Sequence, residues 1–476
     1  MTDKQSVMQK QGFFMLRSRL RGRLDAEYNF ALLTIHIPSK YGQRVLREMS
    51  YSRSGGTPNK AKMEYWDGEI PWASPKDFVS FYLEETIDHI TEAAITDSST
   101  IIIPTDTLLM VVRSGVLQHT LPIAITKKPM AINQDVKAII FDKSILPEYA
   151  GVYFSVFGKR LLPLITKSGA TVQSINTEQF GLLSIPVPPI KIQQECIRLF
   201  RTAYKVKEEL ETKANETFSS IDSLLLRELG ITPKPTSQNT LENRIFKCAF
   251  SEVTGGRLDP LYHHGDIFAF VRAANCDVTR LGNHVAIFLT GFAAGRNDQG
   301  EEEDGIIQFR PTNINEDREL VFRRNIYIAS DELKKRPLDR LNRKELLFNN
   351  TNSQEQVGKT VYFDLEGDYF CSNHITRIAT DGDRLDPQYL FYVLNLYQRQ
   401  KVFYKLCTNW NNQSGVGVDV LSKIPVPLPG PERQKQIVLR LNKIRTDAQE
   451  FRRKAALELD EAKKAIEAMI LGEGGK

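Results

Sequence analysis

Residues 185–197 read Ile-Pro-Val-Pro-Pro-Ile-Lys-Ile-Gln-Gln-Glu-Cys-Ile, and residues 424–438 read Ile-Pro-Val-Pro-Leu-Pro-Gly-Pro-Glu-Arg-Gln-Lys-Gln-Ile-Val. Proline lacks a backbone donor and fixes φ, so each run stops whatever element precedes it. A long helical pattern succeeds each stop. After Pro431, apolar residues fall at Ile437, Leu441, Ile444, Ala448, Phe451, Ala455, Leu459, Ala462, Ile466 and Met469. These steps of three and four draw one stripe along a helix. After Pro189 the stripe runs through Ala203, Val206, Leu210, Ala214, Thr217, Ile221 and Leu224, until Gly230 and Pro233 end it. Each pattern lasts roughly 35–40 residues, about 50–60 Å at the helical rise. Helices of that length, each with a narrow stripe, bury it most simply against one another as an antiparallel coiled coil. Packing of each helix on its own globular part is the plainer alternative.

A second landmark also recurs. Gly22-Arg23-Leu24-Asp25-Ala26-Glu27-Tyr28 returns as Gly256-Arg257-Leu258-Asp259-Pro260-Leu261-Tyr262. Two unrelated landmarks, in the same order and at nearly the same offset, imply a duplicated unit of about 235 residues. Between them, Ser99–Ile103, Thr107–Val112 and Val361–Phe363 read as short strands, and Pro387–Gln400 reads as a helix. No strand–helix–strand rhythm emerges, so the class is α+β. The expected organisation is a globular domain over 1–187, a long helix over 188–232, a second globular domain over 233–426 and a second long helix over 427–476.

Composition fits a folded chain of about three units. It has 476 residues, 41% hydrophobic and 25% charged, which excludes a disordered or fibrous protein. The apolar run Leu108–Val112 reaches about a quarter of the length that a membrane helix needs. The polar N-terminus has no signal-peptide core, so a cytoplasmic protein with no membrane partner is expected. Five cysteines lie far apart without a CxxC pair, which indicates neither a zinc ribbon nor a disulfide framework. Cys371 with His374, and His263 with His264, lack further partners at metal spacing, so no metal site is expected. A net charge of +5 permits an anionic partner without demanding one.

Catalytic signatures are missing. Gly358-Lys359-Thr360 ends like a phosphate-binding loop, but Ser353 stands where the earlier glycine belongs. Gly415 and Gly417 lack a third glycine, and no GxSxG, HExxH or (D/N)PP(Y/F) occurs. Asp364, Glu366 and Asp368 make only a weak nuclease-like cluster. No catalytic residue is assigned.

Two globular units alternating with two long helices resemble the specificity (S) subunits of type I restriction–modification systems. In the first half the resemblance rests on Ser54-Gly55-Gly56-Thr57-Pro58, on residues 64–77 (Glu-Tyr-Trp-Asp-Gly-Glu-Ile-Pro-Trp-Ala-Ser-Pro-Lys-Asp), on Ile132-Asn133-Gln134-Asp135 and on the proline stop. In the second half it rests on Arg280-Leu281-Gly282, Arg310-Pro311-Thr312-Asn313-Ile314, residues 345–349, Val357-Gly358-Lys359 and the stop with Glu432-Arg433-Gln434. It covers about residues 20–471. Two local departures stand out: Ile192-Gln193-Gln194 replaces the usual Pro-Leu-x-Glu-Gln run, and Gly430-Pro431 is extra.

The resemblance implies two target recognition domains, each reading one half of a split site in double-stranded DNA. The helices would set the spacing and dock methyltransferase (M) and restriction/translocase (R) subunits. S-adenosylmethionine, ATP and Mg²⁺ would belong to those partners, and this chain would bind no cofactor. DNA recognition needs phosphate contacts for affinity and polar groups at base edges for sequence. The candidates of those types are Gly55, Gly56, Thr57, Asn59, Lys60 and Lys76 in the first half. In the second half they are Arg296, Asn297, Arg310, Asn313, Asn409, Trp410, Asn411 and Gln413. For Trp72 core packing is favoured, and for the glycines a tight turn is the competing role. The alternative functions are an S-like module of a self-contained nuclease or adenine methyltransferase, and a coiled-coil scaffold that binds only protein.

Overall fold

The computed structural model describes residues 26–167, 173–232, 240–253, 257–295, 298–300, 302–411 and 413–472. Gly22–Asp25 and Gly256 of the repeated landmark lie outside them. The four longest helices among the described residues are α1 (Pro147–Ile165), α2 (Ile190–Glu228), α3 (Pro387–Arg399) and α4 (Pro431–Leu471). Proline opens α1 and α3, where its missing donor costs nothing, and Asp386 caps α3 by accepting from Tyr389 N at 2.9 Å. Gly230 terminates α2 at φ +67°, and Ile231 N donates back to Leu226 O at 2.8 Å.

Contacts gather the chain into two compact units, residues 1–211 with 452–476, and residues 212–451. Both long helices are divided between the units, because each half of a stripe buries itself in the core nearest to it.

In the first unit a five-stranded sheet has the order Ser50–Ser54, Val136–Phe141, Leu108–Val111, Ile123–Thr126, Tyr82–Leu83. A four-stranded sheet has the order His89–Ile90, Trp66–Ala73, Met130–Ile132, Ile102–Ile103. Leu108 and Met110 point to the core that holds Tyr149, Tyr153 and Phe157 of α1, Phe200 of α2, and Ile466 and Ile470 of α4. Leu109 and Val111 point the other way, to Ala73, Ile103 and Ile132. Burial on both faces is why this strand reads as an unbroken apolar run.

The second unit repeats the plan. Its four-stranded sheet has the order Val285–Thr290, Ile375–Thr380, Glu345–Asn349, Thr360–Phe363. Leu346, Phe348 and Ile378 pack with Tyr389, Val393 and Tyr397 of α3, Ile221 and Leu225 of α2, and Ile437 and Leu441 of α4. A three-stranded sheet joins Ile326–Ile328, Ile306–Phe309 and Phe370–Cys371.

The duplication is visible atom by atom. Gln193 is fully buried; its Oε1 accepts from Leu146 N at 2.8 Å, and its Nε2 donates to Ser144 O and Pro188 O at 2.9 Å. Gln434 is equally buried; its Oε1 accepts from Asp386 N at 2.8 Å, and its Nε2 donates to Arg384 O at 2.8 Å and Pro429 O at 2.7 Å. Each glutamine ties the first turn of a long helix to the proline stop and to the start of α1 or α3. Tyr149 and Tyr389 donate in the same way to Pro186 O (3.3 Å) and Pro427 O (2.9 Å).

Within the second unit α2 and α4 run antiparallel. Glu228, near the end of α2, accepts from Arg440 at 2.7 Å, while Lys213 lies 4.5 Å from the ring centroid of Phe451. Within the first unit Lys463 of α4 is pushed down in pKa chiefly by burial; Asp460 opposes this, and the neighbouring charge of Lys207 on α2 reinforces it.

Candidate nucleic-acid interface

In the first unit the strand Ser50–Ser54 runs into Gly55 and Gly56. A Cβ on Gly55 would sit 1.7 Å from Ile132 O, and one on Gly56 would sit 2.1 Å from Ser99 Oγ. Only glycine fits. Gly56 N donates to Ile132 O at 3.1 Å, and Trp72 Nε1 donates to Gly56 O at 3.1 Å. Gly55 and Gly56, candidates for DNA contact by sequence, form a tight joint with Trp72, which is a core residue. Beyond the joint the loop reaches solvent. Thr57 hydrogen-bonds Gln134, Asn59 Oδ1 accepts from Ala61 N at 3.0 Å, and Lys60 is exposed with no ion-pair partner among the described residues. Lys76 sits in a turn folded by Asp77, whose Oδ2 accepts from Ser74 N and Oγ at 2.9 Å. Its ammonium is matched by Asp88 at 2.7 Å.

The second unit builds the same joint with Gly291, where a Cβ would sit 2.2 Å from Cys371 O. Arg296 and Asn297 lie outside the described residues. The turn Arg310–Asn313 repeats Ser74–Asp77. Asn313 Oδ1 accepts from Arg310 N at 2.9 Å, and its Nδ2 donates to Val321 O at 3.0 Å and Arg323 O at 3.1 Å. Asn313 is only 1% exposed, so it is a buried fastener and not a base reader, a correction to the sequence reading. Arg310 stays half-buried at the start of that turn.

Asn409, Trp410, Asn411 and Gln413 come together on one β-hairpin, Thr408–Trp410 against Gln413–Gly415, with Thr351–Asn352 as third strand. Asn411 takes the left-handed turn position at φ +39°. The Trp410 ring lies across Gly415, where a Cβ would meet it at 2.5 Å, and remains 46% exposed. Asn409 Oδ1 accepts from Ser414 Oγ at 2.6 Å, so the carbonyl end of this amide is engaged within the hairpin and its NH₂ end supplies the donors. Beside the ring is a groove of about 390 Å³ whose lining includes Thr290, Asn350, Asn373 and Thr376. Sequence reasoning missed these four. The first unit places a matching pair, Thr166–Lys167 with Ser174–Ile175, where Ser174 bridges to Arg113. That segment was also missed, although the repeat offset measured from the proline stops points to it.

Residues 38–217 and 303–459 match the family described as the type I restriction modification DNA specificity domain. The chain belongs to this family. It is 39% identical over 157 residues to a type I restriction enzyme EcoR124I/EcoR124II specificity subunit of Escherichia coli, covering 33% of this chain and 39% of that one. It is 27% identical over 196 residues to the MjaIX specificity subunit of Methanocaldococcus jannaschii, covering 39% and 44%. These matches span less than half the length of either relative. The S subunit structure from M. genitalium aligns over 91% of this chain and 96% of its own, at 10% identity and a TM-score of 0.42.

The three carboxylates of the weak nuclease-like cluster are engaged in ion pairs. Asp364 and Glu366 accept from Arg343 at 2.7 and 3.2 Å, and Asp368 pairs with Arg340 at 2.8 Å. Burial pushes the Cys371 thiol up to about 12. Among the described residues no three His, Cys, Asp or Glu side chains converge on a metal position. No helix among them is long and apolar enough to cross a membrane.

Proposed function

We propose that this chain is the DNA-recognition subunit of a type I restriction–modification assembly, with each unit reading one half of a split site in double-stranded DNA. The carrying observation is the doubled frame: Gln193 and Gln434 fasten equivalent helix starts, and each unit presents its own exposed polar element. In the first unit that element is the loop with Thr57, Asn59 and Lys60; in the second it is the Trp410 hairpin. Amide side chains suit adenine edges, and cations suit guanine or phosphate. In this reading α2 and α4 pair as one antiparallel coiled coil, which spaces the readers and docks methyltransferase and restriction/translocase subunits. The chain performs no chemistry itself, and S-adenosylmethionine, ATP and Mg²⁺ act on those partners, in the cytoplasm.

The test is to exchange residues 235–424 for those of another such chain, co-express it with the modification subunits and map methylated adenines. One half-site should change while the other stays. Alteration of both half-sites would break the modular reading, and methyl transfer by the purified chain alone would overturn its non-catalytic role.

A further inference from the structure

In the second unit a cavity of about 380 Å³ opens between the turn holding Glu316 and Arg318, the loop leading to Lys359, and the end of α3 at Arg399. Two of its cations are buried, Lys359 at 4% and Arg318 at 6% exposure. Both lean on one carboxylate. Glu316 Oε1 is 2.5 Å from Lys359 Nζ, and its Oε2 is 3.6 Å from Arg318 Nη1, yet the Glu316 side chain is 81% exposed. The other side-chain contacts of Arg318 are neutral: Nε donates to Asn395 Oδ1 at 2.9 Å, Nη1 to Glu316 O at 2.8 Å and Nη2 to Gln398 Oε1 at 2.6 Å. Arg399 is matched separately by Asp222, with Nε to Oδ2 at 2.6 Å. Lys401, in the left-handed conformation at φ +59°, stands exposed on the cavity's lining.

Two buried positive charges thus pair directly with one carboxylate that stands in solvent, while Asp222, already bound to Arg399, acts on Arg318 only from a distance. A buried cation without full compensation is costly. The titration behaviour agrees: burial, with the nearby Arg399 charge, pushes Arg318 down to about 10, and burial lowers Lys359. Glu355 also lines the cavity, so its four cations, Arg318, Lys359, Arg399 and Lys401, stand against Glu316, Glu355 and the Asp222 that pairs with Arg399; one positive charge is in excess, with room for a tetrahedral anion. Its loop continues directly from Thr351–Asn352, the strand that pairs with the Trp410 hairpin.

We propose that this cavity binds a phosphate group. Lysine is an established point-charge ligand for phosphate, and the ammonium of Lys359 offers three donors of which Glu316 takes one. Glu316 yields its place by turning further into the water it already faces. The phosphate comes either from the DNA backbone, which rests on the function proposed above, or from a small phosphate compound.

Glu316→Gln and Lys359→Met in the full-length chain separate these cases. The first measurement is the melting temperature in inorganic phosphate against chloride at matched ionic strength. Phosphate should raise it in the unaltered protein, raise it further in E316Q, where the competing carboxylate is gone, and leave K359M unmoved. Should K359M fail to fold, Lys359→Arg keeps the charge and should retain the response. The second measurement is duplex binding against salt. With a backbone phosphate, E316Q tightens and K359M weakens binding to every sequence alike, and the K359M salt slope falls by about 0.9. With a small phosphate compound, duplex binding stays unchanged while the melting response remains. A phosphate response without any duplex binding would sink the proposed function and leave the cavity standing. No phosphate response in the unaltered protein and E316Q, or loss of it in E316Q as in K359M, overturns the proposal and makes the cluster a structural ion pair.

Discussion

The strand Leu108–Val111 of the first unit is apolar throughout, whereas the strand at the same place in the second unit, Glu345–Asn349, starts with a buried carboxylate. Arg377 on the adjoining strand meets Glu345 in a two-pronged contact, Nε to Oε2 at 2.8 Å and Nη2 to Oε1 at 2.7 Å, and its third nitrogen donates to Leu338 O. Both side chains are essentially inaccessible. The glutamine, tyrosine and proline fastenings are nonetheless the same in the two units. A common frame thus tolerates an apolar or an ionic interior, provided that every buried polar group finds its partner.

The hardest test of that difference is Arg377→Met. Removing one member of a buried pair strands the other, so the variant should lose about 3–5 kcal/mol in urea unfolding. Replacing both, with Glu345→Leu added, should recover most of that loss and leave the second unit resembling the first. A single variant of near-normal stability would show that the pair is not what holds these strands together.

The tryptophans give a contrast of similar size. Trp72→Ala empties a core position in the first unit and should cost about 3–5 kcal/mol of stability. Trp410→Ala should leave the melting temperature within a degree or two of normal and instead weaken duplex binding, as expected of an exposed ring that meets a thymine methyl in the groove. Calorimetry and duplex titration of both variants provide the check. A Trp410 variant that unfolds early while binding DNA normally would make that ring a packing residue of the hairpin and not part of the DNA surface.

The fastenings themselves are tested by Gln193→Ala and Gln434→Ala. Each strands buried backbone groups, at about 1–3 kcal/mol per unsatisfied group. Near-equal losses in the two variants would strengthen the claim of a shared frame. A loss confined to one of them would mean that the resemblance between the two units is geometric without being energetic.

The residues differ in how far they could be read from sequence alone. The long helices were legible because their signals are local: proline removes a donor where it stands, and a stripe of period 3.6 needs no knowledge of its partner. Gln193 and Gln434 were not. A glutamine in the first turn of a helix has the pattern of a surface residue, and its three partners come from two other segments. Asn313 was misread for the same reason, since its amide is consumed by Val321 and Arg323, which only the folded chain brings to it. Asn409, Trp410, Asn411 and Gln413 were easier, because neighbours on a hairpin remain neighbours in space.

Two lysines that look alike in sequence should differ more subtly. Lys76 is bound to Asp88 at 2.7 Å, with Glu85 on the same loop tied to Lys128, so its charge is already answered before any DNA arrives. Lys60 stands exposed beyond the Gly55-Gly56 joint, near Asn59 and without an ion-pair partner among the described residues. A cation that meets a phosphate releases a counterion, whereas one that must first leave a carboxylate gains little. Lys60→Gln should therefore flatten the plot of log affinity against log salt by about 0.9, and Lys76→Gln should barely alter it. Both variants should keep the recognised sequence, because phosphate contacts position the protein without reading bases. Equal slopes for the two variants would place the first unit's DNA surface around the Ser74–Asp77 turn as much as around the Thr57–Lys60 loop, and the correspondence between that loop and the one after Gly291 would lose its functional meaning.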